Sequence, residues 1–189
     1  MNELAQVTAW LMGAIMTWAP GVGEEVSGRA AWEIVDVAYD GAEPPLYKGE
    51  MARARSALTV AITAADESGF REDVQAGHCK PWECDHGDAL CWMQVHARPG
   101  IVFVGDEWRY ARKNDVGVLL PASLLDEETC FRVGMRMLRS SLLHTGSLRG
   151  YTGERGKAPI ARAREQRVLK YLRDFPPPVE DSEALATAD

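Results

Sequence analysis

Residues 51–70 read MARARSALTVAITAADESGF. Met51, Ala54, Leu58, Ala61, Ile62 and Ala65 recur every three or four positions, which puts their side chains on one face of an α-helix. Gly69 is suited to end that helix, because glycine takes the left-handed conformation of a helix terminus at no steric cost. The stretch therefore predicts a helix that lies on a core and brings Glu67, flanked by Ser68, Gly69 and Phe70, to its C-terminal end.

The same periodicity governs the chain on either side. Leu4, Val7, Leu11, Ala14, Ile15 and Trp18 form one apolar face, and Pro20-Gly21 breaks the helix that carries it. A second helix is expected over residues 24–39, burying Val26, Ala30, Ile34 and Val37, before Asp40-Gly41 and the Pro44-Pro45 loop. Residues 71–100 form a long loop holding three of the four cysteines, and loops of that length are usually functional or stapled. Residues 101–104 and 107–110 flank Gly105-Asp106 as a small β-hairpin. Asp126 is an N-cap for a helix with Phe131, Met135, Leu138 and Leu142 on one face and Gly146 as its stop. A last helix begins near Pro159, carries Ile160, Val168, Leu169 and Leu172, and ends at Pro176-Pro177-Pro178. The fold class expected is mainly α, with one small β-hairpin.

At 189 residues, 46% hydrophobic and 26% charged, the composition is that of an ordinary globular domain. The net charge of −7 argues against a dedicated nucleic-acid binder, which needs a basic footprint. The charge is uneven: residues 149–173 carry eight Lys and Arg against Glu154 and Glu165, and residues 174–189 carry five acids and no base. The basic segment could face an anionic polymer or be a solvated helix face with i,i+4 partners. The opening MNELAQ lacks the positive region of a secretory signal, and residues 4–19 are short for a bilayer span.

A lone Glu near a helix end is ordinarily a surface acid. Its neighbours change that reading, because four segments, in order, resemble the soluble lytic transglycosylase group of the lysozyme-like superfamily. LTVAITAADESGF (58–70) is similar to the family's helix ending in Glu-Ser-Gly-Phe, whose Glu is the catalytic acid. DALCWMQVH (88–96) resembles its Gly-Leu-Met-Gln-Val segment, with Cys91 in place of the Gly and Trp92 in place of the Leu. SLLDEETCFRVGMRMLRSSL (123–142) is similar to its helix beginning with Asp, with Cys130 where Asn is usual and Gly134 matching. LRGYTGERG (148–156) is similar to its Ala-Tyr-Asn-x-Gly segment, whose Tyr approaches the Glu, with Thr152 where Asn is usual. The resemblance spans about residues 50–173 and rests on order and spacing, since each segment alone is a weak motif. The family's serine between the first two segments is not identifiable in QAGHCKPWECDHGDALC (75–91).

The resemblance implies a lysozyme-like fold and peptidoglycan as substrate. Glu67 would protonate the oxygen linking N-acetylmuramic acid to N-acetylglucosamine, while the 2-acetamido group stabilises the developing positive charge. Glu67 would then, as base, take the proton of the muramoyl 6-hydroxyl as a 1,6-anhydro ring closes. Ser68, Trp92, Met93, Gln94 and Tyr151 fall at substrate-contacting positions. Neither a metal nor another cofactor is implied. The expected partner is the glycan strand, met by a monomer without nucleic acid and without stable membrane insertion. Action on the cell wall or in the periplasm, as by a phage endolysin or a protein exported by a non-classical route, would fit the missing signal. Domain organisation follows: N-terminal helices (1–45) packed on a catalytic domain (46–175), then a disordered acidic tail (176–189).

Two other functions are compatible with the same residues. A muramidase would pair Glu67 with a second carboxylate about 5 Å away as nucleophile, or about 6.5 to 9.5 Å away as base. Asp73, Asp85 and Asp88 are in loops that could supply it. A lysozyme-fold module could also bind glycan or a partner protein without cutting. Cys79, Cys84, Cys91 and Cys130 are open to disulfides, to free thiols, or to zinc binding with His78 and His86, although Cys-x4-Cys-x-His-x4-Cys is not a tight structural-zinc spacing. Cys91 and Cys130 are candidates for a pair, because both replace other residues of the family. Trp10, Trp18 and Trp32 have helical core spacing, whereas Trp82 and Trp92 lie in the segments that would line a sugar groove.

Overall fold

The computed structural model describes residues 2–80, 82, 84, 89–96, 101–104, 107–110, 121–151 and 158–178. Six helices dominate: α1 (Glu3–Trp18), α2 (Glu24–Tyr39), α3 (Ala52–Ser68), α4 (Glu72–Gln75), α5 (Glu127–Thr145) and α6 (Ala158–Asp174). Strands β1 (Ala89–Leu90) and β2 (Val95–His96) pair antiparallel, as do β3 (Ile101–Val104) and β4 (Glu107–Tyr110). Short 3-10 turns at Pro121–Leu125 and Leu148–Gly150 flank α5. The mainly helical class with a small hairpin is as the sequence predicts.

Helix α3 is central, packing against α1, α2, α5 and α6. It is buried on nearly every side, which its alanines permit by letting neighbouring backbones approach. Its polar residues tolerate this because each hydroxyl bonds within the helix: Ser56 donates to the Ala52 carbonyl, Thr59 to Arg55, Thr63 to Thr59 and Ser68 to Ala64. Gly69 closes α3 in the left-handed conformation, and its N–H donates to the Ala65 carbonyl. Asp126 caps α5 by accepting from the Thr129 N–H at 2.9 Å, and Gly146 ends it, both as the sequence predicts.

Several expectations are corrected. Met51 is not on the buried stripe: it stands outside α3 at φ 56°, at the protein surface. Residues 71–100 are not all loop, since they contain α4 and the β1–β2 pair. The buried stripe of α6 is Ala161, Arg164, Val168, Tyr171 and Leu172, while Ile160 and Leu169 are exposed. Trp32 is exposed rather than core, whereas Trp10 and Trp18 pack on the core at α1 and stack edgewise or tilted on Tyr171. The basic run of α6 is largely met by acids: Arg164 and Arg167 pair with Asp66, and Lys170 and Arg173 with Asp174.

One apolar cluster runs from Val7 of α1 to Leu172 of α6, so the N-terminal helices share the core of the remainder. A buried carboxylate, Glu43 (2% exposed), ties the α2–α3 connection to α5 by accepting from Arg136 and Arg139, with Arg132 3.5 Å away. All four cysteines are in disulfides, Cys79–Cys84 and Cys91–Cys130. Among the described residues no helix is long and apolar enough to cross a membrane. Residues 179–189 of the expected tail and the Gly105-Asp106 turn lie outside the described residues.

Candidate functional site

The four segments of the resemblance converge at the C-terminal end of α3. Residues 91–94 make the turn between β1 and β2, closed by the Gln94 N–H donating to the Cys91 carbonyl at 3.0 Å. Cys91 and Gln94 both adopt left-handed backbone, φ 59° and 49°. Cys91 occupies the position where the family has glycine, the residue this conformation favours, and its disulfide to Cys130 ties the turn to α5. The next contact explains Gly134: a Cβ there would lie 2.6 Å from Cε and 2.7 Å from Cγ of Met93, so only glycine lets the turn seat against α5.

Tyr151 leaves the turn after α5 and donates its hydroxyl to the Met93 carbonyl. Burial, and next to it the charge of Glu67, push the tyrosine above its ordinary pKa, and the Arg164 guanidinium pulls weakly the other way. The hydroxyl of Tyr151 therefore stands within electrostatic reach of both charged groups. Glu67 itself is 26% exposed and accepts from Arg164 Nη2 at 2.8 Å. Arg164 is 4% exposed. Burial would lower its pKa, but the charge of Glu67 and hydrogen bonds to Glu67 and Asp66 outweigh burial and raise it. The carboxyl of Glu67 thus stands in an ion pair with Arg164.

Of the residues singled out beside Glu67, Tyr151 stands near it and Met93 is linked to it through Tyr151. Trp92 has no exposed surface: its ring is packed edgewise on Phe70 and tilted on Phe131, and its Nε1–H donates to the Arg71 carbonyl. It is core and offers no face to a sugar. The Met93 side chain is equally buried, leaving its carbonyl as the group that serves the site, through Tyr151. The Ser68 hydroxyl is consumed in closing α3, donating to Ala64 and accepting from the Phe70 N–H. Gln94 is half-buried, donates Nε2 to the Cys91 carbonyl at 3.2 Å, and keeps its Oε1 without a partner among the described residues.

Asp73 is bound to Arg71, whose hydrogen bond holds it below the usual carboxylate range. Asp85, Asp88, His86 and Thr152 lie outside the described residues. Among the described residues no group of three His, Cys, Asp or Glu could hold a metal ion. The two disulfides, not zinc ligation or free thiols, account for the cysteines.

Sequence reading missed two residues. Gln75, 6% exposed, accepts from the Trp92 N–H and donates to the Leu125 carbonyl, which anchors the 91–94 turn from beneath. Arg164 was hidden in a basic run, although its spacing from Ala161 and Val168 marks it as part of the buried stripe. Comparison with protein-family models, with curated proteins and with solved structures found no match.

Proposed function

We propose that the protein cleaves the β-1,4 bond between N-acetylmuramic acid and N-acetylglucosamine in bacterial peptidoglycan as a lytic transglycosylase, with Glu67 as its acid and then its base. The observation that carries the proposal is the convergence on the 91–94 turn: the Tyr151 hydroxyl donates to the Met93 carbonyl, and Tyr151 lies within reach of the charge of Glu67. Met93 in turn sits where Gly134 admits it. Residues far apart in sequence, chosen by resemblance alone, are therefore mutual neighbours.

The chemistry needs one carboxyl group. In its acid form, with the proton on Oε2 and Oε1 still accepting from Arg164, Glu67 gives that proton to the glycosidic oxygen, which leaves with the bonding electrons as the 4-hydroxyl of N-acetylglucosamine. The 2-acetamido oxygen of the muramoyl residue stabilises the positive charge at C1. Carboxylate Glu67 then takes the proton of the 6-hydroxyl, whose oxygen bonds C1 and closes the 1,6-anhydro ring. Glu67 ends protonated, as it began, and no water is consumed. Gln94 Oε1, unpartnered among the described residues, is available to accept a hydrogen bond from the strand.

The hydrolytic alternative gains nothing from Asp73, which is engaged with Arg71 at the surface. Mass spectrometry of muropeptides after digestion of purified peptidoglycan tests the proposal. Anhydro-muramoyl products are expected from the wild type and none from Glu67→Gln. That variant should fold normally, because the amide carbonyl still accepts from Arg164. Reducing ends would indicate a muramidase, and no product at high enzyme concentration would indicate a binding module; either result overturns the proposal.

A further inference from the structure

A charged side chain in the buried stripe of a helix requires an explanation, since desolvating a guanidinium costs several kcal/mol unless partners replace the water. The partners of Arg164 are two consecutive acids of α3. Its Nε donates to Asp66 Oδ2 at 2.9 Å and its Nη2 to Glu67 Oε1 at 2.8 Å. Asp66 is held from its other oxygen by Arg167 Nη1 at 2.8 Å. The result is a line of alternating charge, Arg167, Asp66, Arg164, Glu67, that crosses from α6 to α3 and ends on the candidate acid.

Bracing α6 against α3 would need only the Asp66 contacts. The contact to Glu67 does something more specific. A guanidinium is planar and rigid, so with Nε fixed on Asp66 its Nη2 has one direction, and the bound carboxyl is fixed in rotation. Glu67 Oε1 is occupied, and Oε2 has no hydrogen-bond partner among the described residues. Asp66 takes Nε and Glu67 Oε1 takes Nη2, while Nη1 has no partner among the described residues, so Arg164 contacts Glu67 at one oxygen only.

We infer that Arg164 is a positioning residue: it holds Glu67 by Oε1, so that Oε2 alone exchanges the proton, first with the glycosidic oxygen and then with the 6-hydroxyl, while Asp66 fixes the guanidinium by its Nε. The inference rests on the function proposed above. It assigns Arg164, 4% exposed, and Asp66 acting through it, to turnover and not to binding of the strand.

The test is steady-state turnover of soluble, uncrosslinked glycan strands by wild type, Arg164→Gln, Arg164→Lys, Arg164→Ala and Asp66→Asn, each checked by thermal unfolding. Loss of orientation at a reacting group lowers kcat by roughly 100-fold. That fall is expected in Arg164→Gln, with KM within about threefold of wild type because uniform binding is untouched. Arg164→Lys should be nearly as slow, since a single ammonium cannot serve Asp66 and Glu67 in the geometry of a fork. Millimolar guanidinium, below denaturing concentration, should restore part of the rate to Arg164→Ala and none to Glu67→Gln, a rescue that a purely structural brace would not give. Asp66→Asn should lower kcat more than it lowers melting temperature. If the wild type gives anhydro products and folded Arg164→Gln and Arg164→Lys keep kcat within twofold, the inference is wrong and the proposed function stands. If the wild type gives no anhydro product, both fall together. Should Arg164→Gln fail to fold, the comparison is carried by Arg164→Lys and Asp66→Asn under the same criterion.

Discussion

Replacing Gly134 with alanine separates packing at the site from helix propensity. In the middle of a helix, Gly→Ala ordinarily stabilises by about 1 kcal/mol. Here the added Cβ would lie 2.6, 2.7 and 3.1 Å from Cε, Cγ and Cβ of Met93. The Cε can rotate away, but Cγ and Cβ move only with the backbone of residues 91–94, which the Cys91–Cys130 bridge and Gln75 hold down. Met93 has no exposed surface into which to relax. With Cγ and Cβ held, overpacking falls in the upper part of its usual range, about 2–3 kcal/mol, so it outweighs propensity and leaves a net loss of about 1–2 kcal/mol. In a domain of this size that is a fall in Tm of roughly 2–8 °C. Gly28 of α2 is an internal control, since its Cβ would meet the Met12 sulfur at 3.8 Å, an ordinary contact. Gly28→Ala should therefore raise stability by about 0.5–1 kcal/mol. Urea unfolding of both variants gives the signs, and muropeptide release should fall at least tenfold in Gly134→Ala as the Met93 carbonyl is driven from Tyr151. Adding Met93→Ala to Gly134→Ala should cost less than the sum of the two single changes, because each relieves the other. Gly134→Ala as stabilising as Gly28→Ala, with full activity, would refute the packing assigned to the 91–94 turn.

Three further outcomes follow from the same contacts. Trp92→Ala should lose about 3–5 kcal/mol in denaturant unfolding as a fully buried ring is removed, whereas Trp82→Ala, at a 75% exposed position, should change stability by less than about 0.5 kcal/mol. The Cys91–Cys130 bridge spans 39 residues and Cys79–Cys84 spans 5; chain entropy then gives losses of about 4 and about 2 kcal/mol for Cys130→Ser and Cys79→Ser, measured as Cm under non-reducing conditions. Glu43→Gln leaves Arg132, Arg136 and Arg139 without their buried carboxylate and should cost about 3–5 kcal/mol. That loss should be nearly insensitive to added salt, since a buried pair is poorly screened.

What was legible in the sequence was punctuation. Asp126 with Gly146 bounds α5 from its cap to its stop, Gly69 ends α3, and β3 and β4 fall on either side of Gly105-Asp106, because caps and turns depend on local chemistry. What was not legible depended on partners distant in the chain. Arg164 reads as solvated until Asp66 and Glu67, about a hundred residues earlier, are seen to bond it. Trp92 reads as a sugar platform until Phe70 and Phe131 enclose it. Nothing local marks Glu43, whose partners are three arginines of α5 about ninety residues later. Met51 misled for a different reason: its spacing fits the stripe, but the left-handed backbone before α3 turns it outward. In the candidate site, order and spacing found Glu67, Met93, Gln94, Gly134 and Tyr151, and missed the charge line behind Glu67.

The bridge between Cys91 and Cys130 also constrains how this chain can change. Residue 91 carries a Cβ in a conformation that costs a non-glycine residue on the order of 1–2 kcal/mol. A glycine there needs no tether, whereas a cysteine there is held by one. Losing Cys130 alone leaves that cost in place with nothing to offset it, and replacing Cys91 by glycine alone strands a buried thiol in α5. The two positions are therefore coupled in mutational order: each single step passes through a form with neither the bridge nor a matched pair of residues, and the states expected to persist are those in which both sites have changed or neither has.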